Sequence, residues 1–220
     1  MINPEKPGHV RSMKAFLHRF NLRRLIGILD AHVWLLSLLL CLASVSTLAQ
    51  TSSGSASGSG SAVALEDRVK AASLHKFLNY VDWPPAAFAA TDSPYVIGVV
   101  NAEDIAEELT RLAANRLTNN RPVLVKKIHG SDNVSGVHVL FIGRAERPRL
   151  SQWIRQTLGQ PILLVSETEG ALALGSMINF RIAEERVRFE VSLDPVEKSG
   201  LKLSSRMLAI AISVIKAGTP

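Results

Sequence analysis

From Leu65 onward the chain moves between two hydrophobic rhythms. In LEDRVKAASLHKFLNYV, Leu65, Val69, Ala72, Leu74, Phe77, Leu78 and Val81 recur at three- and four-residue intervals, the mark of an amphipathic helix. Pro84 and Pro85 stop it, because proline cannot continue the hydrogen-bond ladder and disfavours helical geometry in the residue before it. YVIGVV (95–100) then reads as a continuous apolar strand. AEDIAEELTRLAA (102–114) follows as a helix with acids in its first turn, where the helix dipole favours them. PVLVKKI (122–128) predicts a second strand, and VHVLFIG (137–143), apolar throughout, a third that is central and covered on both faces. RPRLSQWIRQTL (147–158) predicts a helix with Pro148 near its start, PILLVSE (161–167) a fourth strand, and residues 169–174 a short helical turn ending at Gly175.

After Gly175 the period changes to two. MINFRI and VRFEVSL alternate apolar and polar positions across Glu184-Glu185, which reads as an antiparallel hairpin, and SSRMLAIAISVI (204–215) reads as a closing helix capped by Ser204 or Ser205. Alternating strands and helices followed by a hairpin imply an α/β domain. The expected form is a three-layer sandwich around a mostly parallel sheet of five to six strands with an antiparallel C-terminal hairpin. No internal repeat is visible.

Charge changes the picture only at the N-terminus. The chain of 220 residues carries a formal net charge of +6, but six of its 25 basic residues and only two of its 19 acids lie in residues 1–49, which leaves 19 basic against 17 acidic residues for the rest. A net +2 domain lacks the electrostatic footprint of a nucleic-acid binder. Residues 1–49 have the parts of an export signal: a basic region ending at Arg24, the apolar run VWLLSLLLCLASV, and Thr47 and Ala49 as small residues before a cleavage ahead of Gln50. An uncleaved anchor is the alternative. After cleavage nothing in the chain suggests direct membrane binding. Cys41 lies within the apolar run, so the mature chain has no cysteine for disulfides or thiol chemistry. Residues 50–63 read as a disordered Gly/Ser-rich tether and 64–217 as the folded domain.

A search by residue type finds no catalytic constellation. His75, His129 and His138 have no second ligand at metal-binding spacing, no G-x-S-x-G elbow occurs, and Ser166 reads as a cap at a strand end. No cofactor or metal is expected. Arg144, Arg147 and Arg149 follow the central strand and enter a helix, where they and the backbone amides form a possible anion-binding loop; pairing with Glu146 in a solvated loop is the other reading.

In a chain with only 5% aromatic residues, Phe77, Tyr80, Trp83 and Phe88 fall within twelve positions. Phe77 and Phe88 read as packing residues. Tyr80 and Trp83 combine an apolar body with a polar handle, the kind of residue enriched at binding hot spots, so they stand as candidates for partner or ligand contact. In the hairpin, Arg188 and Glu190 share one face by alternation, Asn179 is placed on the opposite face, and the three are candidates for a charged rim around a docking patch.

FLNYVDWPPAAF, YVIGVV, Arg121-Pro122-Val123, VHVLFIG, INF and VRFEVSL…GLKLSSRML occur in this chain in the order seen in the YfiR-like family, which it resembles from about Leu65 to Ile215. The resemblance implies a periplasmic α/β regulator without enzymatic activity that tends to dimerise. It implies binding to the periplasmic domain of an inner-membrane diguanylate cyclase, or of a related sensor kinase, and so lower cyclic di-GMP and less biofilm. Some relatives carry cysteines suited to redox control; the mature chain here has none, and that property does not transfer. The residues also leave open a small-solute-binding module with its pocket at the carboxyl ends of the parallel strands, near Gly143 and Ser166.

Overall fold

The computed structural model describes residues 55–130 and 132–216. Residues 1–49, the cleavage before Gln50 and Cys41 lie outside them. Helix α1 (Ser55–Phe77) starts ten residues before the first apolar repeat, so the expected tether is helical from Ser55 on. The helix nucleus is costly but each further residue adds a bond cheaply, so a helix anchored by its packed C-terminal half extends through a polar start.

The strands are β1 (Val81–Asp82), β2 (Tyr95–Val100), β3 (Leu117–Thr118), β4 (Arg121–Ile128), β5 (Val139–Ile142), β6 (Leu163–Ser166), β7 (Ile178–Ala183), β8 (Arg186–Ser192), β9 (Lys202–Leu203) and β10 (Ser213–Ile215). The further helices are α2 (Glu103–Ala113), α3 (Leu150–Thr157), α4 (Ala171–Leu174), α5 (Leu193–Lys198) and α6 (Ser205–Ile210).

The main sheet has eight strands in the order β10-β8-β7-β6-β5-β2-β4-β3, two or more beyond expectation. The core from β4 to β7 is parallel, and β8 returns antiparallel to β7 as the hairpin. β3 and β10 are the added strands. β10 comes from the segment expected to be the end of a helix. Ser204 caps α6 by accepting from the Met207 amide, but the helix stops at Ile210, and Ser213–Ile215 pairs parallel with β8. The β-branched Ile212, Val214 and Ile215 suit an edge strand better than a helix end.

The crossovers β2–α2–β4 and β5–α3–β6 run in opposite directions along the sheet. Being right-handed, they place α2 and α3 on opposite faces. Helix α1 covers the α2 face, with Phe77 stacked 6.0 Å from Phe180 and edge-on to Phe189 at 5.3 Å. The result is the expected three-layer sandwich. Its core is the aliphatic filling of β2, β5 and β6, whose residues Ile97, Val139, Leu140, Phe141, Ile142, Leu163 and Val165 are fully buried.

Beside the main sheet, β1 pairs antiparallel with β9. This short ladder ties the segment before Trp83 to GLKLSS, two motifs separated by some 120 positions in sequence. The Ser204 amide extends the junction by donating to the Tyr80 carbonyl.

Candidate functional site

Three groups of side chains carry the chemistry that the sequence singles out. The first surrounds Trp83. Pro84 and Pro85 end the chain's approach to the sheet, and a short 3-10 turn over Pro85–Ala87 delivers Phe88 back against it. Phe88 stacks on His138 at 4.5 Å, while Tyr95 stands edge-on to Phe88, Trp83 and His138 at 5.4–5.5 Å. The Arg121 guanidinium lies 3.9 Å from the Phe88 ring centre and also donates to the Ser93 and Ala90 carbonyls.

Within this cluster His138 has a defined tautomer. The Val96 amide donates to its Nδ1, so in the neutral ring the proton sits on Nε2. Burial drives the His138 pKa down to about 4; the Arg121 charge acts in the same direction and the Ala87 carbonyl against it. His138 is therefore the buried core histidine of a packed aromatic box, with no metal around it: among the described residues no group of three His, Cys, Asp or Glu side chains converges.

Trp83 belongs to the same box and is 9% exposed, with its Nε1 facing no hydrogen-bond partner among the described residues. Trp83, expected as a partner or ligand contact, is thus nearly enclosed, edge-on to Tyr95 and His138. Tyr80 is half-buried and remains partly accessible.

The second group is the hairpin. Asn179 lies directly across from Glu190, and Arg181 across from Arg188, so all four share one face. The placement of Asn179 on the face opposite Glu190 is corrected: the two-residue turn at Glu184-Glu185, with φ of 51° and 57°, sets the register, and alternation within one strand cannot fix it. Parallel pairing carries the row further, from Ser166 through Asn179 and Glu190 to Ser213, giving four polar residues side by side across β6, β7, β8 and β10. Asn179 is 1% exposed and its Oδ1 has no hydrogen bond among the described residues. Glu190 is 3.6 Å from the Arg181 guanidinium, and Arg188 is half-buried beside them.

Around this row lies the free edge of the sheet. Ile182, Ile212, Val214 and Ile215 are each 42–51% exposed, and β10 has no partner on its outer side among the described residues. By register Ile215 shares the face of Ser213, Glu190, Arg188 and Arg181, where an apolar residue beside charged ones has the make-up of a protein contact surface; Ile182 and Val214 lie on the opposite face.

The third group lies at the carboxyl ends of β5 and β6. The loop holding Arg144, Arg147 and Arg149 forms a 3-10 turn, Arg144–Arg149, before α3. Glu146 is buried within it and accepts from Trp153 Nε1, Asn101 and Arg149. Burial alone would raise the Glu146 pKa, but these bonds outweigh it and hold the carboxylate below its usual range. Arg144 lies 3.6–3.7 Å from Glu167 and Glu66, and its backbone amide donates to Glu167. Lys70, buried in α1, binds both Glu66 and Glu167.

In this loop carboxylates pair with the Arg144 amide and with the Arg144 and Arg149 guanidinium groups, in line with the ion-paired reading of the sequence, while Arg147 is exposed. The same network fills the place near Gly143 and Ser166 where the solute-binding alternative put its pocket. Ser166 is fully buried, and its Oγ accepts from the Thr168 amide, the capping role expected of it. Sequence reading missed Glu66, Lys70 and Glu167. The i, i+4 spacing of Glu66 and Lys70 is a helix ion-pair signal, but nothing local points to Glu167, 97 positions away.

No helix of the described residues is long and apolar enough to cross a membrane. A family model described as YfiR/HmsC-like matches residues 67–212, from Asp67 in α1 to Ile212 just before β10.

Proposed function

The chain belongs to the YfiR/HmsC-like family, whose members are periplasmic regulators of diguanylate cyclases and not enzymes, and from that premise we propose that it is an exported repressor of one such cyclase. It docks on the periplasmic domain of the membrane-anchored enzyme, stabilises the inactive conformation, and thereby lowers cyclic di-GMP and biofilm formation. Regulation by occupancy requires only that it bind the inactive state better than the active one. A coupling of about 1–3 kcal/mol changes output by a factor of roughly 5 to 150.

The observation that carries this reading is the exposed edge of the hairpin sheet. On the face shared with Ser213, Ile215 supplies an apolar contact and Arg188 and Glu190 a charged border, while Val214 and Ile182 lie on the other face. Such a surface gives contact area from the apolar side chains and orientation from the charges. Tyr80 extends it only if the partner reaches the β1–β9 junction. The repressor acts as a homodimer in this reading, with no cofactor.

The test is cellular cyclic di-GMP in a deletion strain complemented with the full chain or with a form lacking residues 1–49. A rise on deletion, reversed only by the full chain, is expected. An unchanged level on deletion rejects the cyclase as target.

A further inference from the structure

We propose that the cleft between α3 and α5 binds a small organic anion with an apolar body. The cleft encloses about 450 Å³, within the range of small-molecule sites, and opens at the amino ends of the parallel strands. That is the opposite edge from the one filled by Glu66, Lys70 and Glu167.

Its lining decides the ligand class. Buried Ile154 and Met177 form the floor, and Leu158 and Leu174 stand on the rim, 69% and 52% exposed, with their side chains on the cleft. Of the hydroxyls in the wall, two are committed and that of Ser151 is open. Thr157 Oγ1 donates to the Ile154 carbonyl and Ser199 Oγ to the Val196 carbonyl. A sugar or nucleoside would find no array of open hydrogen-bonding groups there.

The ionic groups left facing the cleft are Arg155 on α3, Lys198 on α5 and Asp194. Asp194 also acts on Lys216, whose ammonium is paired to Glu197 at 2.8 Å. Arg155 and Lys198 have no ion pair among the described residues and stand on opposite walls. An apolar floor between two open cations fits a carboxylate or sulfonate carried on a ring or short chain. Gly175, at φ 113°, keeps the wall thin: a Cβ there would come within 3.2 Å of Ile154 Cγ2.

This inference is independent of the repressor reading, because its readout is binding alone. Protein from cells expressing the complete chain is titrated calorimetrically with 1-naphthalenesulfonate, with the neutral 1-naphthalenemethanol and with the cationic 1-naphthylmethylamine. Saturable binding of the sulfonate is expected, with the neutral and cationic probes weaker by about tenfold or more, the scale of one charge-assisted hydrogen bond. The double variant Arg155→Gln, Lys198→Gln, changed only at exposed positions, should keep its unfolding midpoint and lose about tenfold in sulfonate affinity. Leu158→Ser with Leu174→Ser should weaken all three probes. Equal binding of the three probes, undiminished sulfonate binding by the double cation variant, or no saturable sulfonate binding overturns the proposal.

Discussion

Asn179 stands directly across the β7–β8 ladder from Glu190, buried to 1% exposure, with its Oδ1 unpaired among the described residues. A buried acceptor without a donor costs stability, so its replacement by an apolar group of similar size is close to neutral. Asn179→Leu should therefore change unfolding stability by no more than about 1 kcal/mol, whereas Asn179→Asp, which buries a second carboxylate beside Glu190, should cost about 3 kcal/mol or more. Urea unfolding of the two variants checks this. A large loss in Asn179→Leu would mean that the amide makes a bond essential to the hairpin.

His138 makes stability depend on pH in a defined window. Its pKa is near 6.5 in the unfolded chain and about 4 in the fold, so below 6.5 the unfolded chain binds a proton that the fold refuses. Its contribution is fully present above about pH 6.5, declines as the pH falls toward 4, and is lost below that. The loss across the window amounts to about 3 kcal/mol. Arg121 is the charged group facing it, and its guanidinium charge adds to the lowering. Denaturant unfolding from pH 4 to pH 7 should show this slope in the wild type and a flatter profile in His138→Gln.

Lys70 neutralises two carboxylates at the carboxyl ends of the strands while being only 3% exposed. Lys70→Met leaves Glu66 and Glu167 facing each other without a buried cation, and should cost about 3–5 kcal/mol. Adding Glu167→Gln should recover part of that loss. If the double variant is no more stable than the single one, the lysine stem contributes by packing and not by charge. Thermal melts of the three proteins distinguish the cases.

The parts of this fold legible in sequence are those whose signals are local. The strand over 95–100 matches β2 residue for residue, and the helices α2 and α3 end within a few positions of their apolar repeats. Ser204 declares its capping role by type. What sequence did not disclose depends on partners far along the chain. SVI becomes a strand only because β8 offers an open edge, and Trp83 is buried where Tyr95 and His138, from β2 and the start of β5, pack edge-on against it. The Asn179–Glu190 pairing rests on the register of a turn built from two glutamates with positive φ, where asparagine and glycine are the residues that advertise such a turn. Arg144 reads as open because Glu66 and Glu167, which pair with it, come from other elements.

In the proposed mode of repression, the exposed rim of β8 and β10 docks the cyclase. Ile215 is 49% exposed and the Glu190 side chain 21%, so Ile215→Asp with Glu190→Lys alters the rim with little effect on the core. The measurement is cellular cyclic di-GMP in the deletion strain complemented with wild type or with this double variant, at matched periplasmic abundance and unfolding midpoint. The wild type should restore repression, and the double variant should leave cyclic di-GMP at the level of the deletion. Full repression by the double variant would contradict this docking mode.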